Sequence, residues 1–195
     1  MDTSRPGKSR RPDYRARQMK DSESTTDLRT ALSRFASGVT VITTVTGGRE
    51  LDIHGMTANS FTSVSLNPPL VLVSISINAI THKRILESGR YGISVLERRQ
   101  PEICHHFSGS TRKSEKIDFV WRDGIAFVSG ALAHLACTVW DSFRVEDHTL
   151  HVGEVTHFWY QNGTPLLFFS GTLSTDTPKP VLPGMHATPT SFVEP

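Results

Sequence analysis

The chain has 195 residues, 37% of them hydrophobic and 21% charged, with a formal net charge of +2. That length suits one domain with a sizeable core, and no apolar run approaches the roughly 20 residues a membrane-spanning helix needs, so no membrane association is expected. Arg5, Lys8, Arg10, Arg11, Arg15, Arg17 and Lys20 face only Asp2 and Asp13 in residues 1–20, leaving a mildly acidic body of 14 basic and 17 acidic residues, which argues against a nucleic-acid partner.

Residues 1–25 read as a solvated, disordered basic tail. Arg10-Arg11 is followed by no apolar stretch of the kind an export signal carries. A helix is expected from Thr26 to Ser37, with Leu28, Leu32, Phe35 and Ala36 on its apolar face and Gly38 as its stop. Val39 to Thr46 is β-branched and reads as a strand, and Gly47-Gly48 suits a tight hairpin. Ile53 to Leu66 reads as two extended pieces around a small polar loop, broken by Asn67-Pro68-Pro69. Leu70 to Ile77 has the composition of a buried strand. Thr81 is expected to cap a short helix carrying Ile85 and Leu86 and ending at Gly89. Tyr91 to Leu96 is a strand, and Pro101 opens a helix to about Phe107. Residues 108–124 read as polar and irregular. Ala131 to Val139 and Leu150 to Tyr160 are strands, and Asn162-Gly163 signals a turn before a strand at Leu166 to Phe169. The expected domain is 26–173, with a Pro/Thr-rich disordered tail over 174–195. Many strands, few short helices and no βαβ alternation point to a mainly β fold, a closed or split antiparallel barrel with peripheral helices.

The chain has two cysteines, Cys104 and Cys137. Two cysteines make no disulfide framework, so free thiols in a reducing, cytoplasmic setting are expected. No G-x-G-x-x-G supports a dinucleotide-binding Rossmann domain. Gly109-Ser-Thr-Arg-Lys113-Ser114 lacks the glycine and the preceding strand of a phosphate loop. Adjacent residues Cys104-His105-His106 would leave a helix on different faces, and no metal site is expected. What remains is Gly55-Met-Thr-Ala-Asn-Ser-Phe61 and the Thr/Ser residues after it. Small side chains there let a ligand approach the main chain, whose N–H groups can cradle phosphate or carbonyl oxygens. Taken alone, the same residues also suit a Ser/Thr-rich edge strand.

Gly55-Met-Thr-Ala-Asn-Ser-Phe-Thr-Ser-Val-Ser-Leu-Asn-Pro-Pro-Leu-Val71 resembles the signature of the short-chain flavin reductase family, the reductase components of two-component flavin-dependent monooxygenases. Arg34-Phe-Ala-Ser-Gly-Val-Thr-Val-Ile-Thr43, Thr81-His82, Phe107-Ser-Gly109, and Asp147-His148 with Val152-Gly-Glu-Val155 resemble further family motifs in the same order. The resemblance implies an FMN-binding split β-barrel, a homodimer, FMN or FAD as the flavin, NADH or NADPH as hydride donor, and a separate monooxygenase that receives reduced flavin. It implies that Thr57, Ala58, Asn59, Ser60, Phe61, Thr62 and Ser63 line the flavin, largely through main-chain N–H groups. It places Ser76, Asn78, Thr81 and His82 near the ribityl or phosphate end, Phe107 beside the ring or the nicotinamide, and His148 facing the nicotinamide as the catalytic positioning group. Outside the family pattern stand a charged stretch around Lys113 and Lys116 and an extra histidine, His151. A non-catalytic flavin-binding or electron-carrier protein on the same barrel is the alternative.

Overall fold

The computed structural model describes residues 25–46, 52–109 and 117–174. The expected tails, apart from Thr25 and Ser174, lie outside the described residues, as do Gly47-Gly48, Lys113 and Lys116.

The centre of the fold is strand β2 (Thr40–Thr46). It pairs antiparallel with β3 (Asp52–Ala58) on one side and β6 (Arg90–Val95) on the other, and its β-branched run is buried on both faces, Ile42 in the barrel core and Val41 in the cluster outside it. The sheet continues from β6 to two long strands, β9 (Ala133–Val145) and β10 (His148–Tyr160), then to β5 (Pro69–Ser76) and β4 (Thr62–Leu66). Its two edge strands, β3 and β4, are consecutive in the chain and separated only by Asn59, Ser60 and Phe61. Three residues reach about 10 Å at most, so the sheet must roll until its edges meet. The result is a split β-barrel, as the sequence implied. Its interior is filled by Ile42, Val71, Val73, Ile75, Tyr91, Ile93 and Cys137, with Ile85 from helix α2 (Ile80–Ser88) packed against them.

A second layer lies across one side of the barrel. Strands β1 (Ser37–Gly38), β11 (Leu167–Phe169) and β12 (Thr172–Ser174) form a small sheet. It is stitched to the barrel by Val39 N–H to the Leu166 carbonyl, Leu166 N–H to Leu96 and Leu96 N–H to Val39. Helix α3 (Pro101–Phe107) closes the same cluster through Cys104. A hairpin of β7 (Phe119–Arg122) and β8 (Ile125–Val128) covers the barrel where β2 and β6 would otherwise be bare.

Several expectations change. Helix α1 spans only Thr25–Leu32, and Leu32 and Phe35 are 65% and 81% exposed, so its apolar stripe finds no core among the described residues. β5 is buried on one face only, because α2 and the sheet interior take Val71, Val73 and Ile75 while Leu72, Ser74 and Ser76 face outward. Thr81 does not cap α2; Ala79 is the cap residue, and Gly89 ends the helix in the left-handed conformation as expected. Residues 119–122, read as irregular, form β7. Asn162-Gly163 makes no hairpin, since β11 pairs with β1 and β12 rather than with β10.

Gly153 marks where packing is tightest. A Cβ there would overlap the ring and hydroxyl of Tyr91, which is buried and has no hydrogen-bond partner. Gly153→Ala is therefore expected to lower unfolding stability by about 2–3 kcal/mol, the cost of overpacking a filled core. Removing the clashing hydroxyl with Tyr91→Phe should recover much of it. Thermal or urea unfolding of the single and double variants checks this; equal losses in both would show that Tyr91 is not the obstacle.

Candidate active site

The split creates the site. Among the described residues β3 pairs only with β2, and β4 only with β5, so each turns one row of main-chain N–H and C=O groups away from its described partner strand. Between those rows sits Asn59-Ser60-Phe61. Ser60 pins it: its hydroxyl donates to the Ser74 carbonyl at 2.8 Å and accepts from Ser74 N–H at 3.2 Å. Thr40 Oγ1 donates to the Ala58 carbonyl at 2.7 Å, and Thr57 Oγ1 to the Cys104 carbonyl at 2.8 Å. The loop is thus held from the barrel on one side and from α3 on the other. Gly55 is bare because the Phe107 ring occupies the space where its Cβ would stand.

Thr57, Ala58 and Asn59 line a cleft of about 650 Å³, together with Cys104, His105, Ser108 and residues of β11 and β12. That size lies within the ~300–1,000 Å³ of small-molecule and cofactor sites. Phe61 is half-buried against the barrel core, and Thr62 and Ser63 are exposed on edge strand β4. Phe107 packs on Gly55 and stands edge-on to His106 with ring centroids 4.7 Å apart. Cys104, His105, Ser108 and the β11–β12 residues were not expected in the site. Ser108 lies in the Phe107-Ser-Gly109 motif, but nothing local points Cys104, His105 or the C-terminal strands to the loop, which they meet only through the tertiary fold.

A second group continues along the outer face of β5. Ser74 and Ser76 share that face, about 7 Å apart, and His148 is the direct cross-strand partner of Ser76. The turn beyond β5 is fixed by Ile77 N–H to the Asp147 carbonyl and Asn78 N–H to Ser76 Oγ. His148 is partly exposed, with Nδ1 2.8 Å from Asp147 Oδ1. That hydrogen bond, reinforced by the imidazole's charge, holds the Asp147 carboxyl below the usual carboxylate range. An ionised carboxylate only accepts, so Nδ1 of His148 carries a proton towards Asp147 and Nε2 is left for a ligand. His82 is half-buried, its Nε2 3.0 Å from Thr149 Oγ1. Thr81 has no exposed surface, so its side chain faces the core and not the groove. Among the described residues no group of three or more His, Cys, Asp and Glu is placed to hold a metal ion.

A flavin reductase like domain matches residues 32–175. The chain belongs to the flavin reductase family. It is 54% identical over 145 residues to an NADH-dependent flavin reductase of Rhodococcus sp., covering 74% of this chain and 82% of that one. The reductase component of Thermus thermophilus 4-hydroxyphenylacetate 3-monooxygenase is 36% identical over 144 residues, 71% of this chain and 88% of its own. The Streptomyces globisporus NADH:FAD oxidoreductase, solved with NAD and FAD fragments, superposes with a TM-score of 0.74 at 35% identity, covering 84% and 99% of the two chains.

Beneath His82 lies His151, the histidine outside the family pattern. It is fully buried, its Nδ1 2.9 Å from Ser142 Oγ and its ring 5.3 Å from that of His82. Burial, with a smaller contribution from His82, pushes it down to about 4. In the unfolded chain it takes its proton near 6.5. Between those values the unfolded state binds a proton that the folded state refuses, so His151 favours unfolding as pH falls from 6.5 towards 4. The loss approaches about 3 kcal/mol. His151→Leu should flatten this acid limb, narrowing the difference in unfolding free energy between pH 7.5 and pH 5, measured by urea titration at each pH. An unchanged difference would assign the acid limb to other groups.

Proposed function

We propose that this flavin reductase oxidises NADH and reduces FMN or FAD, releasing the reduced flavin to a separate monooxygenase. What supports it most is the main-chain edge left open where β3 and β4 do not pair, whose Thr57, Ala58 and Asn59 open on a cleft of cofactor size. A flavin ring presents carbonyl and nitrogen acceptors that such N–H donors match, and its reduced form gains negative charge that fixed donors stabilise. The flavin supplies the hydride-accepting chemistry when bound. The chain's own residues bind, orient and shield. Ser60 and Thr57 hold the donor loop rigid against β5 and α3. Ser76, Asn78 and His82 offer polar contacts at the far end of the β5 face. His148, fixed in one tautomer by Asp147, orients the nicotinamide; alignment rather than strong acid or base catalysis is what hydride transfer demands. NADH is favoured over NADPH by the nucleotide named for the relatives above.

The assembly is a homodimer. Leu66, Phe158 and Tyr160 are 92%, 65% and 79% exposed, and they border an apolar groove of about 290 Å³ between β4 and the end of β10, floored by Phe61, Leu70 and Leu135. An exposed patch of this kind is a protein-contact surface, and a second copy covers it. The buried, unpaired Cys104 and Cys137 suit the reducing cytoplasm, and among the described residues no helix is long and apolar enough to cross a membrane.

Purified protein with free FMN or FAD should oxidise NADH catalytically; flavin retained without turnover would instead identify an electron carrier. His148→Ala should lower kcat about tenfold with little change in flavin affinity, the pattern of lost alignment, read from steady-state kinetics and flavin binding. An equal fall in flavin affinity would move His148 into the flavin contacts. Phe158→Glu should shift the protein from dimer to monomer in light scattering after gel filtration; an unchanged mass would place the interface elsewhere.

A further inference from the structure

We propose that a notch between the β7–β8 hairpin and the end of β10 binds a single-ring aromatic carboxylate, at a site separate from the flavin cleft and bordering, through Trp159 and Tyr160, the groove proposed for the second subunit. Arg122 ends β7, with its guanidinium carbon 4.5 Å over the Trp159 ring. Its Nε is buried and has no hydrogen-bond acceptor. Among the described residues no carboxylate pairs with it; the neighbouring Asp123 carboxylate faces His157 Nδ1 at 3.4 Å instead. A stack on tryptophan holds a guanidinium but accepts none of its five N–H groups. Reading Arg122 only as a clasp between the hairpin and β10 therefore leaves its hydrogen-bonding capacity unused beside a cavity.

That cavity is about 220 Å³ and is lined by Arg122, His134, Trp159, Tyr160, Gln161 and Val120 among others, with no acidic residue. It is smaller than the ~300–1,000 Å³ of sites for larger ligands, so a nucleotide is excluded and one ring with its acid fits. The polar walls define the charge. His134 Nε2 lies 2.8 Å from the Val128 carbonyl, which only accepts, so Nε2 carries the proton. Burial, with the positive charge of Arg122 acting the same way, holds His134 below its ordinary value, leaving a neutral ring. Gln161 donates its amide hydrogens to the Gly130 and Ala131 carbonyls, both at 3.1 Å, and keeps Oε1 as an acceptor. Arg122 is thus the one cation of the notch, and it selects a monoanion. A carboxylate meets the planar guanidinium fork with two parallel hydrogen bonds, and the Trp159 and Tyr160 rings supply flat walls for an attached aromatic ring. The notch sits at the Trp159 end of β10, roughly 35 Å of strand from His148.

The test is calorimetric titration of the full chain, as the assembly it forms, with benzoate and with the neutral isostere benzamide. Benzoate should bind saturably, one per chain, with benzamide at least about tenfold weaker. Arg122→Gln should weaken benzoate about tenfold while flavin-dependent NADH oxidation stays at the wild-type rate. Equal binding of benzoate and benzamide, no saturable benzoate heat up to about 10 mM, or an unchanged benzoate affinity in a folded Arg122→Gln protein would overturn the proposal. If that variant fails to fold, the comparison of the two ligands on the wild-type protein decides alone.

Discussion

Everything functional in this molecule follows from a sheet that rolls into a barrel without sealing. β3 and β4 are brought together by a three-residue link yet hydrogen-bond to other strands. Continuous pairing between them would have consumed the donors at Thr57 to Ser63 and left a smooth closed barrel. An open edge is normally a hazard, because unpaired N–H and C=O groups invite another strand. Here the exposed run is short, and its Thr57, Ala58 and Asn59 line a cleft walled by α3 and the β11–β12 strands, which admits a small flat ligand more readily than a strand.

Rigid placement of that edge depends on residues that look unremarkable in isolation. Gly55 has no side chain because Phe107 fills its place, and that close approach seats α3 against β3. Once seated, α3 offers the Cys104 carbonyl to Thr57. Ser60 does the same from the opposite direction, exchanging two hydrogen bonds with Ser74 of β5. Side-chain oxygens in this segment therefore spend themselves on the protein's own backbone, leaving main-chain N–H groups free for a ligand. Preorganised donors of this kind need no rearrangement when charge develops.

The strand content and the loop were legible because their signals are local. The β-branched run at 40–46 gave β2, Pro101 gave the start of α3, and Gly89 gave the end of α2. The loop at Gly55 to Phe61 is proposed as a flavin site only through its ordered resemblance to family motifs, since its composition alone also fits an edge strand. What stayed hidden depends on distant contacts. Cys104, His105 and Ser108 enter the cleft because α3 packs across β3, and β11 leaves β10 for β1 because Leu166 is drawn into the cluster of Val39 and Leu96. β7 was lost among charged neighbours: Phe119 and Trp121 alternate with Val120 and Arg122 over too few residues to show a period. The stripe of Leu28, Leu32 and Phe35 is apolar in pattern, and among the described residues it stays exposed.

Edge strand β4 ties the site to the assembly. Its open edge faces the split, while Ser63, Ser65 and Leu66 line the apolar groove beside Phe158 and Tyr160. A register irregularity between Ser63 and Ser65 leaves Val64 unpaired and 51% exposed, bending the strand as bulges do. In a strand, consecutive side chains take opposite faces, so a contact that fixes Leu66 and Ser65 also fixes the direction in which the preceding residues present their N–H groups. A five-residue edge strand with one partner has little stiffness of its own. In the proposed dimer, a subunit packed on its outer face would limit the tilt of β4 relative to β3, and so the width of the gap between them.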